Sequence, residues 1–379
     1  INGHTHVPMN LLRGLADDLR LDVWLQGYML PVERQFVSPD FVRLGTLLAC
    51  AELIRSGVTT FCDMYYFEED VAKAADEAGL RAICGETVLK FPSPDAQSYE
   101  ESLALAHEFI ERWKNHPRII PAVAPHAPYT CTEEILRACI NLALQYDVPL
   151  LIHIAETDLE VENSRNENGM PVVPYIKKLN LFDAKVIAAH CVHIDEGEMR
   201  TLKHYDTGIV HNPSSNLKLG SGIAPVKRML DLDLNVGIGT DGVASNNDLD
   251  MFEEIRLAAF LAKGSTGDPT ALPARTAILM ATRMGAQALH IDHFTGSIEA
   301  GKKADLILVN LDQPHNTPKF NRDPSGVYAQ LVYAAKSTDV TDVMIDGNWI
   351  MRESQLLTLE EKDLIVQAQH YAGEIDSFL

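Results

Sequence analysis

VPLLIHIA (148–155), with Glu156 just beyond it, KVIAAH (185–190), TGIVHN (207–212) and LNVGIGTD (234–241) decide the fold. Each is a short run rich in Val, Ile or Leu that ends on, or just before, a side chain able to do chemistry. Short apolar runs separated by longer stretches of helical periodicity mark the strands of a parallel sheet. Working back toward residue 1, the same pattern recurs at 1–6, at VTTFCD (58–63), at RAICGETV (81–88) and at IIPAVAPH (119–126). Helical periodicity fills 40–56, 68–79, 99–114, 132–146 and 247–263. Eight strands with intervening helices predict an α/β fold, a (β/α)8 TIM barrel. An open doubly wound sheet would want a Gly-rich turn after its first strand, and the sequence has none there.

Past residue 265 the rhythm changes. A helical stretch (270–289) leads to GSIEAGKKADLILVNLD, then DVTDVMIDGNWIMRE, then an amphipathic helix near 358–376. The DG dipeptide between VMI and NWIM predicts a β-hairpin. The expected division is a barrel over 1–300, its strands and main helices lying within 1–265. Residues 301–379 are then the C-terminal segment of a small β domain plus a terminal helix. The chain opens INGHTH, in mid-strand and without Met. This reads as a chain lacking its native N-terminus, so the small β domain is expected to be partial, with an exposed edge and apolar surface.

The 379 residues are 46% hydrophobic with a formal net charge of -21, enough for a large core. That charge would repel a polyanion, which argues against nucleic acid and leaves a small neutral or zwitterionic substrate. Cys50, Cys62, Cys84, Cys131, Cys139 and Cys191 form no C-x-x-C pair and mostly lie in apolar runs. They read as buried thiols in a reducing cytoplasm. No apolar run approaches membrane-spanning length, so neither a membrane nor export is expected. Self-association into a homo-oligomer stays open.

The chemistry lies at the strand ends, where barrel active sites are built. His4 and His6 flank Thr5, and alternate strand residues share a face, so both imidazoles point into the barrel. His153 supplies a third imidazole and Glu156 lies just beyond it. His190 and Asp241 end two further strands. Singly, each could be a hydrogen-bonded core histidine or a helix-capping carboxylate; their agreement at the rim predicts a metal site. Three imidazoles and a carboxylate suit one divalent ion, Zn²⁺ or Fe²⁺, with an open position for a water made acidic enough to act as nucleophile. The strand at 119–126 offers no Lys that could bridge a second ion. His211 ends a strand and could line the pocket, and His193 starts the next loop or helix.

HTHVPMNLLRGLADDLRLDVWLQGYMLPVE, APHAPYTC, HIAET, AAHCVHI, HNPSSNLKLGSGIAPV, GTDGVASNNDLDMFEEIRLAA and GSIEAGKKADLILV together resemble the amidohydrolase superfamily. Within it, the chain is most similar to the 5′-methylthioadenosine/S-adenosylhomocysteine deaminase branch. The likeness runs over essentially the whole chain, with the motifs in family order. It implies His4, His6, His153 and Asp241 as metal ligands, Glu156 as proton shuttle, and His190 as the residue that orients the attacking water or the leaving group. It further implies Glu33 on the ribose hydroxyls and His126 as a substrate contact. Catalytic roles thus fall on Glu156, His190 and Asp241, and substrate contacts on Glu33, His126, Glu156 and Asp241. The implied reaction converts an adenine nucleoside to its inosine analogue and ammonia. The alternative is an aminohydrolase or chlorohydrolase acting on a triazine or free nucleobase; a non-catalytic assembly protein is a third reading, disfavoured because every metal and proton-transfer position is kept. Family members have a further segment ahead of H-x-H, and some hold an amino-acid tail with arginine. Arg81, Arg112 and Arg118 are nearby in sequence, none in a diagnostic motif.

Overall fold

Eight parallel strands wind around one core in a computed structural model that describes residues 1–320, 322 and 325–378. They are β1 (Asn2–Thr5), β2 (Thr60–Tyr65), β3 (Arg81–Val88), β4 (Ile119–Pro125), β5 (Pro149–Ile154), β6 (Lys185–His190), β7 (Gly208–His211) and β8 (Asn235–Ile238). Each pairs with the next in chain order. Every residue of β2, β3 and β5 is buried, the pattern of strands covered on both faces. This is the expected barrel, with β2 starting two residues later than the sequence pattern suggested.

The seam between β8 and β1 is drawn together by a few specific bonds. Asn2 Nδ2 donates to Thr240 Oγ1 (2.8 Å), the Thr240 N–H donates back to Asn2 Oδ1 (3.0 Å), and the Asp241 N–H donates to the His4 carbonyl (2.9 Å). Backbones approach so closely here that a Cβ on Gly239 would lie 2.7 Å from the His4 nitrogen.

The helices follow their caps. Ser38, Ser98, Thr132, Thr157 and Asp195 each accept from the N–H three residues on, satisfying donors that a helix start leaves orphaned. Asp250 caps Phe252 and Glu253, so the helix expected from 247 begins at Met251. The stretch expected as one helix over 270–289 is two, Ala274–Met280 and Arg283–Ala288. The β1–β2 connection, for which no helix was expected, is helical from Leu21 to Phe36. Glu33 is buried on that helical segment.

A second, antiparallel sheet comprises β9 (Leu306–Val309), β10 (Val340–Ile345), β11 (Asn348–Arg352) and β12 (Gln355–Leu356), in the order β12-β11-β10-β9. The expected hairpin turn is Asp346–Gly347, with φ of 50° and 80°, the mirror-image geometry that suits strand twist. β9 is the outer strand, and its Leu308 is 52% exposed. The Glu361–Phe378 helix packs on the barrel through the ring pairs Phe41–Tyr371 and Phe36–Phe378. All six cysteines are buried and free. No described helix is long and apolar enough to cross a membrane.

One ion pair ties the small sheet to the base of the barrel. Arg81, fully buried at the start of β3, forks onto Asp305 (2.9 and 3.1 Å) and donates to the Pro117 carbonyl. Asp305 also accepts from Thr295 Oγ1 and the Asp346 N–H, each at 2.8 Å. Burial works against the Asp305 charge, yet the Arg81 bonds hold its carboxyl below the usual range. Arg81 therefore lies at the opposite end of β3 from the strand-end histidines. Arg112 pairs with Glu69 and Arg118 with Asp76. Removing one partner of a buried pair costs about 3–5 kcal/mol, an exposed pair under about 1 kcal/mol. Denaturant titration of Arg81→Met is expected to show a loss in the first range. The exposed Arg112→Ala control stays in the second, and equal small losses would refute the tie.

Candidate active site

The five strand-end residues meet at one point. His4 Nε2 lies 3.4 Å and His6 Nε2 3.2 Å from Asp241 Oδ1, and His153 Nε2 lies 3.1 Å from His4 Nε2. The His190 ring stacks against that of His153 at 5.4 Å. Its Nε2 faces Glu156 Oε2 at 3.8 Å. Four residues here hold left-handed backbone: Ala155, His190, Cys191 and Asp241, with φ between 48° and 71°. Such conformations cost about 1 kcal/mol or more each. They turn the chain sharply as it leaves the sheet, so that neighbouring side chains face the same cavity.

The outer nitrogens of His6 and His153 are taken. His6 Nδ1 bonds the Met64 carbonyl (2.6 Å) and His153 Nδ1 the His126 carbonyl (2.7 Å). Both Nδ1 atoms must be N–H donors, which points the Nε2 atoms inward. Burial lowers the His4 pKa to about 4 and holds His153 well below its ordinary value, so both stay neutral. Burial opposes charge on Asp241 too, but its bonds with His4 and His6 keep the carboxyl ionised, well below the usual range. On His6, burial is outweighed by the Asp241 bond and charge, which raise it to about 9. Imidazole Nε2 atoms converging on a buried carboxylate suit one positive charge at their centre. Two overlapping groups of possible donors share His4, one with His6 and Asp241 and one with His153 and His190; imidazoles with one carboxylate suit one divalent metal ion.

Groups that the motif reading passed over hold these side chains. Asp241 Oδ2 accepts from Ser215 Oγ (2.6 Å) and Ser245 Oγ (2.9 Å), and its Oδ1 from the Gly242 N–H (2.8 Å). His190 Nδ1 bonds Asn216 Oδ1 (2.8 Å). Ser221 Oγ donates to Glu156 Oε1 (3.1 Å), and the Glu160 carboxylate takes the backbone N–H groups of Ala155 and Glu156. Ser215 and Asn216 lie in HNPSSN and Ser245 in GTDGVASNN; those motifs were the available signal.

The cavity above the cluster is lined by Glu33, Tyr65, His126, Glu156 and His190, with an apolar outer wall. Tyr65 OH donates to Glu33 Oε1 (2.6 Å). Burial raises Glu33 to about 7, with the Tyr65 bond and the His6 charge opposing. Burial lowers His126 to about 3, leaving a neutral ring whose Nδ1 is 3.0 Å from Thr130 Oγ1. His211 is buried but does not line this cavity, and His193 bridges Asp158 and the Ser221 carbonyl.

Fold and site define a metal-dependent hydrolase built on a barrel. Residues 1–350 match the amidohydrolase family, and the chain belongs to it. It is 46% identical over 375 residues to the 5-methylthioadenosine/S-adenosylhomocysteine deaminase of Syntrophobacter fumaroxidans, covering 99% of this chain and 84% of that protein. It is 44% identical over 372 residues to the 5'-deoxyadenosine deaminase of Methanocaldococcus jannaschii, covering 97% and 86%. Among solved structures, it is similar to an adenosine deaminase from Xanthomonas campestris with bound zinc. That match has a TM-score of 0.96 at 40% identity and covers 99% of this chain and 84% of the other. A triazine hydrolase variant at 22% identity shares the fold, with a TM-score of 0.89.

Metal analysis of the purified protein is expected to find one divalent ion per chain. Asp241→Ala should abolish retention through dialysis, and Ser215→Ala should weaken affinity about 10–100-fold, the effect of losing a ligand's outer hydrogen bond. Full retention by Asp241→Ala would exclude it as a ligand.

Proposed function

We propose that this enzyme hydrolytically deaminates an adenine nucleoside, releasing the inosine analogue and ammonia. The observation that carries this reading is Glu33. It is a buried carboxylate on the wall of the same cavity that holds Glu156 and His190, and its hydrogen-bond partner is Tyr65. A vicinal diol would satisfy its remaining acceptor capacity; a triazine or a free base has none.

His4, His6, His153 and Asp241 would hold the ion, with zinc favoured by the donor set and by the zinc in the Xanthomonas neighbour. When bound, such an ion supplies Lewis-acid activation of water and of the attacked carbon's substituents. The rest of the chemistry falls to the protein. His190 and Asp241 hold the attacking water over C6 of the purine by hydrogen bonding. Glu156 takes a proton from that water and passes it to ring N1, which makes C6 electrophilic. A second transfer carries the proton of the new C6 hydroxyl to the exocyclic nitrogen, and ammonia leaves as the C6 carbonyl forms. Ser221 fixes Oε1 of Glu156 and leaves Oε2 facing the reaction. Burial raises the Glu156 pKa, partly offset by His190, which suits a group that acts as base and then acid. The buried thiols support a reducing, cytoplasmic setting.

Glu156→Gln is expected to keep its metal and its nucleoside KM while kcat falls at least ~10²-fold. Near-normal turnover with metal fully bound would remove Glu156 from the mechanism. Glu33 gives a second test, by pH. With its pKa near 7, it is protonated below that point and offers a diol the stronger, charged acceptor only above it. The nucleoside KM should therefore fall between pH 6 and 8. Glu33→Gln should flatten that dependence and raise KM about 10-fold or more, the worth of a hydrogen bond to a charged group, while turnover of free adenine stays unchanged.

A further inference from the structure

The adenine and ribose ends of the cavity have their polar partners; the remainder has few. Its outer wall is made by Leu21, Trp24 and Leu30 on the β1–β2 connection and by Tyr66, Leu89 and Phe91 facing them. Among the described residues that line the cavity there is no lysine or arginine. The cations closest in sequence are committed or turned outward. Lys90 donates to the Tyr129 carbonyl, Lys218 pairs with Asp17, and Arg34, beside Glu33, is exposed. The charges acting on Tyr66 are mainly acidic, Glu33 and Asp95 first, with Arg34 the one cation among them. The Trp24 indole N–H is buried without a partner, but a single neutral donor does not replace the hydration of a carboxylate.

We infer that this pocket selects adenine nucleosides with a small, uncharged 5′ substituent, such as 5′-deoxy or 5′-methylthio, over those ending in an amino-acid tail. The inference rests on the nucleoside reading above. Whichever part of the outer wall the 5′ arm follows, a methyl or methylthio group exchanges water for apolar contact there. A zwitterionic tail must instead shed hydration against a wall whose lining offers no lysine or arginine to its carboxylate, which is costly. Phe91, Leu89 and Leu21 are then specificity determinants, acting through the absence of charge.

The test is steady-state deamination, with metal bound, of 5′-deoxyadenosine, 5′-methylthioadenosine and S-adenosylhomocysteine. The expected kcat/KM values for the first two lie within about 10-fold of each other and at least about 100-fold above the third. Calorimetric binding of the products, 5′-methylthioinosine against S-inosylhomocysteine, should follow the same order. Phe91→Arg, and Leu89→Arg as an independent variant should the first fail to fold, are expected to raise the S-adenosylhomocysteine to methylthioadenosine ratio at least 10-fold. Equal use of the two substrates by the unmodified enzyme would overturn the selectivity while leaving nucleoside deamination standing. Failure to deaminate any of the three would overturn both.

Discussion

The hydrogen bond from the Asp241 N–H to the His4 carbonyl closes the barrel and assembles its chemistry at once. Parallel strands confer no activity until the first and last are brought side by side. When they are, the carboxylate following β8 reaches both imidazoles of β1. The two Asn2–Thr240 bonds and the tight approach at Gly239 serve the same closure. Buried polar side chains at a seam would ordinarily destabilise it; here each is paired, and the pairs hold donors in place for a cation.

Much of this was legible in the sequence because two strong periodicities operate. Alternation put His4 and His6 on one face, and the rule that barrel chemistry gathers at the strand ends collected His153, Glu156, His190 and Asp241. What the motifs did not convey was support and environment. Ser215, Ser245 and Asn216 are small polar residues of a kind common in any loop, and only their three-dimensional placement beneath Asp241 and His190 distinguishes them. Glu33 showed no helical periodicity around it, since its helix is short and follows a π-type turn at Leu25–Met29. Its burial depends on Tyr65, from a strand 32 residues on.

Backbone strain and acid–base tuning are coupled in this site. Ala155 takes φ 49°, and the Glu160 carboxylate gathers the two N–H groups that this bend exposes. Glu156 is thereby presented from a fixed turn rather than a free loop, just before Thr157 caps the following helix. The same economy recurs at Asp241, whose φ of 64° turns its carboxylate inward while its own N–H closes the barrel.

Part of the cavity's outer wall and the proposed ion donors have separate addresses on this chain. One continuous connection between β1 and β2 carries Leu21, Trp24, Leu30 and Glu33, whereas the proposed ion donors are distributed over β1, β5 and the exit of β8. The barrel's closure does not pass through that connection. Exchanging it between relatives would replace one wall of the cavity and leave the other, Leu89 and Phe91 on the β3–β4 connection, in place above the same strand ends.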